Sequence, residues 1–211
     1  MRTRLFAILA LLMMASPVTA RAQDDDRPPK DRQPSPGLRE VPEHTGRSHR
    51  RGFWLSTGFG VGGESFDARD GLGWSHAESG AVAALKLGGT VSPHLLLGAE
   101  LSGWWDPYYM NTNLDRSLGS LMGIVQWYPA ALGDFWLRGG VGFAHSEDRQ
   151  YLGWGSAVQW QQDGMAFAFG LGYDARVGRA VSLTPLLDLT GHSYSDHQER
   201  ILSLGLAVTF H

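Results

Sequence analysis

The sequence predicts an all-β chain closed into an eight-stranded antiparallel up-and-down transmembrane β-barrel. Three observations point there. From Gly52 onward the chain divides into runs in which large apolar residues alternate with small or polar ones, the period of a strand. Short turns and longer polar loops alternate between those runs. Aromatic residues gather at the run ends, where an amphipathic ring suits the headgroup level of a bilayer.

Composition sets the bounds. The chain has 211 residues, a formal net charge of −3, no cysteine, 28 glycines and 8 tryptophans. It lacks the basic excess that phosphate-backbone binding needs, and without cysteine it has neither disulfides, thiolate metal ligands nor a lipidated cysteine anchor. Abundant glycine and tryptophan together suggest a sheet closely packed on one face and meeting an interface on the other.

Met1 to Ala22 places Arg2 and Arg4 before the apolar run Leu5 to Ala15, followed by Ala20-Arg21-Ala22. This is the layout of a cleaved, Sec-dependent signal peptide, and the run is shorter than the roughly 20 residues a membrane helix requires. Gln23 to Arg51 carries Asp24-Asp25-Asp26, prolines 28, 29, 34, 36 and 42 and no aromatic residue. Such a segment cannot offset its ordering entropy, so residues 23–51 are expected to be a disordered periplasmic leader and 52–211 the barrel domain.

The first run, Phe53 to Gly63, sets Leu55, Thr57, Phe59 and Val61 against Ser56 and glycines. The second, Gly80 to Thr90, sets Ala81, Ala83, Leu85 and Leu87 against Val82, Ala84, Lys86 and Gly88. After a turn at Val91 to His94, the third runs from Leu95 to Trp104 with Gly98, Glu100 and Ser102 on its small face. The fourth, Arg116 to Tyr128, is the least regular. Pro129 to Asp134 turns the chain into the fifth, where Leu137, Val141 and Phe143 oppose Arg138, Gly140, Gly142 and Ala144. The sixth, Met165 to Val177, has Phe167, Phe169, Leu171 and Tyr173 outward; the seventh is Val181 to Thr190. In the eighth, Glu199 to His211, Leu202, Leu204, Leu206, Val208 and Phe210 alternate with Ser203, Gly205, Ala207 and Thr209. Each run is close to the length of about 10 residues that a tilted strand needs to cross hydrocarbon, and an even count puts both termini on the periplasmic side. Phe53, Trp54, Trp127, Tyr128, Phe135, Trp136 and Phe210 then form an inner girdle, and Trp104, Trp105 and Tyr194 an outer one.

Over Gly52 to His211 these features resemble the small eight-stranded bacterial outer-membrane barrels, the OmpA-like and OmpX-like proteins. L-L-L-G-A-E-L-S-G-W at Leu95 to Trp104, R-G-G-V-G-F-A at Arg138 to Ala144 and the aromatic Phe210 near the chain end are the segments most similar to that group. The resemblance implies an outer-membrane location, contact with membrane lipid and lipopolysaccharide, and recognition of the last strand by the barrel-assembly machinery. Its members include structural anchors and adhesins. A porin-like narrow pore is the alternative role, and a lipid A-modifying enzyme a more distant one.

No catalytic, cofactor or metal residue is assigned. Gly58 to Gly63 satisfies G-x-G-x-x-G, but a polar loop follows where a nucleotide site needs a helix. Six charges fall on the inward faces: Lys86, Glu100, Arg138, Asp174, Arg176 and Asp188. Balanced signs on a face deprived of bulk water suggest a structural network, with Lys86 expected to pair with Glu100 and Arg138 with Asp174, and Arg176 and Asp188 extending the set. His76, His145, His192 and His197, with Glu147, Asp148, Asp196 and Glu199, fall in external loops and match no specific motif. The stretch Trp104, Trp105, Asp106, Pro107, Tyr108, Tyr109 reads as an exposed aromatic loop for surface contact.

Overall fold

The computed structural model describes residues 52–68, 73–109, 114–153 and 156–211, with the side chains of 108, 109, 153 and 156 left aside. The signal peptide and leader expected over 1–51 lie outside the described residues. Eight strands follow in order: β1 Phe53–Asp67, β2 Glu78–Ser92, β3 Leu95–Tyr109, β4 Leu114–Trp127, β5 Phe135–Gly153, β6 Ser156–Tyr173, β7 Val181–Ser193 and β8 Gln198–Phe210. Each pairs antiparallel with its chain neighbour, and β1 closes the ring on β8 from Leu55 opposite Phe210 to Asp67 opposite Gln198. Beyond Asp174, the two residues Ala175–Arg176 resume the ladder with β7. Closure leaves the membrane-crossing part without the open edges that lipid would not tolerate.

The three short turns lie at one end and are tied to one another. Tyr128 N–H donates to the carbonyl of His94 (2.9 Å), Asp174 N–H to that of Asp134 (3.0 Å) and His211 N–H to that of Ala180 (3.0 Å). A single 3-10 turn, Ala130–Leu132, ends on Gly133 at φ 65°, a left-handed conformation in which a side chain would be strained.

The alternation is inside out relative to a water-soluble barrel. Phe59, Val61, Val141, Phe143 and Leu204 project outward with more than 60% of their surface uncovered. A continuous apolar belt of this kind requires hydrocarbon around it. Inside are glycines, hydroxyls and charges.

Two expectations are corrected. The strands run to 13–19 residues, longer than a bilayer crossing, because the polar connections continue the ladder instead of looping: β5 and β6 stay paired to Gln150 opposite Val158 and beyond. The aromatic girdles are also thinner than the sequence suggests. Phe53, Trp127, Trp105 and Phe210 face outward, whereas Trp54, Trp104, Trp136, Tyr128 and Tyr194 are buried in the lumen. The pleat decides this, because adjacent residues must point to opposite faces. Glycines make room: a Cβ at Gly80 would strike the Trp104 indole, one at Gly172 the Trp136 indole, and one at Gly98 would lie 3.0 Å from Trp54 Cζ2.

Candidate functional site

The lumen is filled by three polar layers stacked along the barrel axis. In the central layer, Lys86 of β2, Glu100 of β3, Arg138 of β5 and Asp188 of β7 converge with no more than 7% of any residue uncovered. Arg138 pairs with Glu100, and its Nη2 lies 2.9 Å from Asp188 Oδ1. Lys86 Nζ lies 3.6 Å from Asp188 and 4.0 Å from Glu100, and 5.5 Å from the centre of the Trp136 ring. Two cations face two anions, which is how charge survives away from water.

Arg138 therefore does not pair with Asp174. In the β5–β6 register it stands opposite Gly170, which in turn stands opposite Asp188 on β7. With no side chain at Gly170, the Asp188 carboxylate reaches across β6 to the guanidinium, occupying the place a Cβ would take. Arg176 is outside the lumen as well: its side chain is 40% exposed beside the turn, 3.6 Å from Asp134.

Asp174 anchors the layer nearest the short turns. Tyr128 Oη donates to it at 2.7 Å, Thr184 Oγ1 at 2.8 Å and Trp136 Nε1 at 3.2 Å, while His211 Nε2 lies 3.4 Å away. Gln126 Nε2 donates to Tyr128 Oη at 2.6 Å. Thr184, Thr209 and Ser56 continue inward as linked hydroxyls, 3.1 and 2.9 Å apart.

The third layer caps the opposite end. Arg116 of β4 pairs with Glu199 of β8, lies 3.8 Å from Glu64 of β1 and 3.5 Å from Asp148 of β5. His192 Nδ1 lies 3.5 Å from the other Glu199 oxygen, and His197 is held between Glu199 (3.2 Å) and Asp196 (2.8 Å). Its ring stacks on Tyr194 at 4.6 Å and meets Phe66 at 4.8 Å. Burial opposes protonation of His197, but the hydrogen bonds to Glu199 and Asp196 outweigh it and hold the imidazole above its ordinary value; His197, then Gln162, hold Asp196 below the ordinary carboxyl range. Both His197 nitrogens face carboxylates, so it is not disposed to activate a hydroxyl as a hydrolase histidine would. Among the described residues no group of His, Asp and Glu is arranged to hold a metal ion.

The loop chosen from sequence for surface contact is not a loop. Trp104 to Tyr109 belongs to β3; Trp104 is buried with its Nε1 donating to the Gly62 carbonyl at 3.0 Å, and Asp106 is buried too. Within this stretch Trp105 and Pro107 are exposed, the side chains of Tyr108 and Tyr109 lying outside the described set. A group of exposed apolar residues sits instead on the β5–β6 hairpin, Tyr151, Leu152, Val158 and Trp160, with Trp74 exposed ahead of β2. Arg116, Glu64 and the hydroxyl file escape sequence reading, yet continuing the inward alternation from Gly62 to Glu64, and from Leu118 back to Arg116, reaches two of them.

These features define a closed eight-stranded barrel of the small outer-membrane kind, with a charge-plugged lumen. Among solved structures it is similar to Ail, the attachment invasion locus protein of Yersinia pestis, at 12% identity and a TM-score of 0.54, covering 76% of this chain and 99% of that one. The same protein in complex with the heparin analogue sucrose octasulfate matches at TM-score 0.54 and 12% identity, over 75% and 99% of the two chains. Neisserial surface protein A matches at 16% identity and TM-score 0.49, over 74% and 96%. No protein-family model and no curated protein matches the chain.

Proposed function

We propose that the protein is exported by its N-terminal signal, inserted into the outer membrane by assembly machinery that reads the last strand ending at Phe210, and serves there as a non-enzymatic barrel for surface contact. Outer-leaflet lipid and lipopolysaccharide surround its apolar belt. The observation that supports this reading is the β5–β6 hairpin, a paired ribbon that rises past the belt and presents Tyr151, Leu152, Val158 and Trp160 to solvent. The similarity in fold to an attachment protein is in keeping with it.

The lumen argues against the porin-like alternative. Two cavities in it, among the described residues, are only about 20 Å3 each, room for about one water apiece, and the central layer crosses the bore. Cells displaying the full chain should adhere to epithelial monolayers more than cells with an empty vector. Joint replacement of Tyr151, Leu152, Val158 and Trp160 by serine should abolish the difference at unchanged surface level. Adherence equal to the empty vector for the natural chain would overturn the contact role. Steady single-channel steps in potassium chloride would favour the pore, and altered lipid A masses on expression the enzyme.

A further inference from the structure

The three layers are joined by a file of groups that can each take up and release a proton. At the outer end it begins with exposed Asp196, His197, Glu199 and His192, linked at 2.8, 3.2 and 3.5 Å. His192 and Ser203 line one of the two small cavities, together with Thr190 and the Ser102 and Ser120 hydroxyls that bond each other at 2.7 Å. Ser203 also lines the second cavity, with Asp188, Lys86 and Ser56. From Ser56 the path runs through Thr209 and Thr184 to Asp174 and His211 beside the short turns, with steps of 2.9, 3.1, 2.8 and 3.4 Å. Each cavity exceeds the 10–15 Å3 or so that one water needs and, though largely apolar, offers that water polar partners: Ser203 with Ser56, Lys86 and Asp188 in one, Ser203 with Ser102, Ser120, Thr190 and His192 in the other.

We propose that the barrel is a proton wire: closed to ions and solutes, as the preceding reading holds, but passing protons along this file. A hydroxyl or water accepts a proton on one lone pair and releases its own to the next group, so one proton enters at Asp196 and one leaves at His211. Only N–H and O–H bonds are exchanged, and the hydroxyls then rotate back. A metal cation has no equivalent route, because it would have to shed its hydration shell to enter a space the size of one water. Ser203 is the junction, the one hydroxyl that lines both cavities.

The full-length protein, reconstituted into phosphatidylcholine vesicles containing a pH-sensitive dye, potassium and valinomycin to balance charge, reports the flux after an external acid step. The natural chain should acidify the interior faster than protein-free vesicles. Thr209→Val, close to isosteric, and Ser203→Val, which replaces the hydroxyl by a methyl and adds a second, should each slow that excess by about tenfold or more, the factor that follows from losing one hydrogen-bonded link. Ser117→Ala, outside the file, should leave it unchanged. Heat-modifiable migration verifies folding of every variant. A natural chain no faster than empty vesicles, or two folded valine variants at full rate, overturns the wire while leaving the closed barrel intact. Potassium chloride steps in planar bilayers overturn the closed lumen itself and attribute the flux to an open water column.

Discussion

The central and outer layers use the same device, a guanidinium among carboxylates, in opposite settings. Around Arg138 the signs balance, all four side chains are enclosed and no histidine takes part. Around Arg116, among the described residues, the carboxylates Glu64, Glu199 and Asp148 outnumber the guanidinium they surround, Asp148 is partly exposed, and His192 and His197 adjoin Glu199. The centre has its charges matched one for one; the rim has an excess of carboxylate beside histidines that protonation can adjust.

The largest expected effect follows from that contrast. Arg138→Met leaves Glu100 and Asp188 facing each other without their main cation and should cost about 3–5 kcal/mol in urea unfolding from detergent micelles. Arg116→Met should cost less, about 1–3 kcal/mol, because protonated histidine and nearby water relieve the carboxylates left behind. Equal losses would erase the distinction between the layers. Gly172→Val, which drives a side chain into the Trp136 indole, should cost about 1–3 kcal/mol through overpacking.

Acidity provides the next separation. Because the folded His197 value is raised, its contribution to closing the β7–β8 connection is fully present below the ordinary 6.5 and is lost as pH rises through the raised value. The depressed Asp196 works in the opposite sense, contributing above the ordinary 3.8 and fading as pH falls through its folded value. An imidazole titration followed by NMR should therefore give His197 a midpoint above 6.5, moved down by Asp196→Asn. A midpoint at or below 6.5 would remove the adjustable character of the rim. Smallest in stability is Trp160→Ala on the hairpin, within about 0.5 kcal/mol, since about half of that residue is exposed.

Much of the fold is legible in the sequence because lipid imposes a simple rule: Leu202 to Phe210 alternate with small residues, and β1, β5 and β6 obey the same pattern. The rule weakens where lipid ends. Above the belt neither face is selected for hydrocarbon, so the long polar stretches from His145 to Gly164 read as loop although they pair as strands. Adjacent aromatics such as Trp104-Trp105 mislead for a related reason, since clustering shows that rings are present and only the pleat shows which one turns inward. The charges read as luminal were legible in part: Lys86 and Glu100 lie 4.0 Å apart as expected, whereas Arg176 lies outside the lumen and Arg138 has another partner than the one expected. Pairing depends on which strand has a glycine for a side chain to cross, and Gly170 sends Asp188 to Arg138 in place of Asp174.

The cancellation of charge within the central layer bears on how the barrel meets an electric field. A potential across a membrane does work only on net charge that moves through it, and two cations locked to two anions offer none unless the cluster separates. A plug built this way has no handle by which polarisation can pull it open, so the bore stays shut whichever side of the envelope is the more negative.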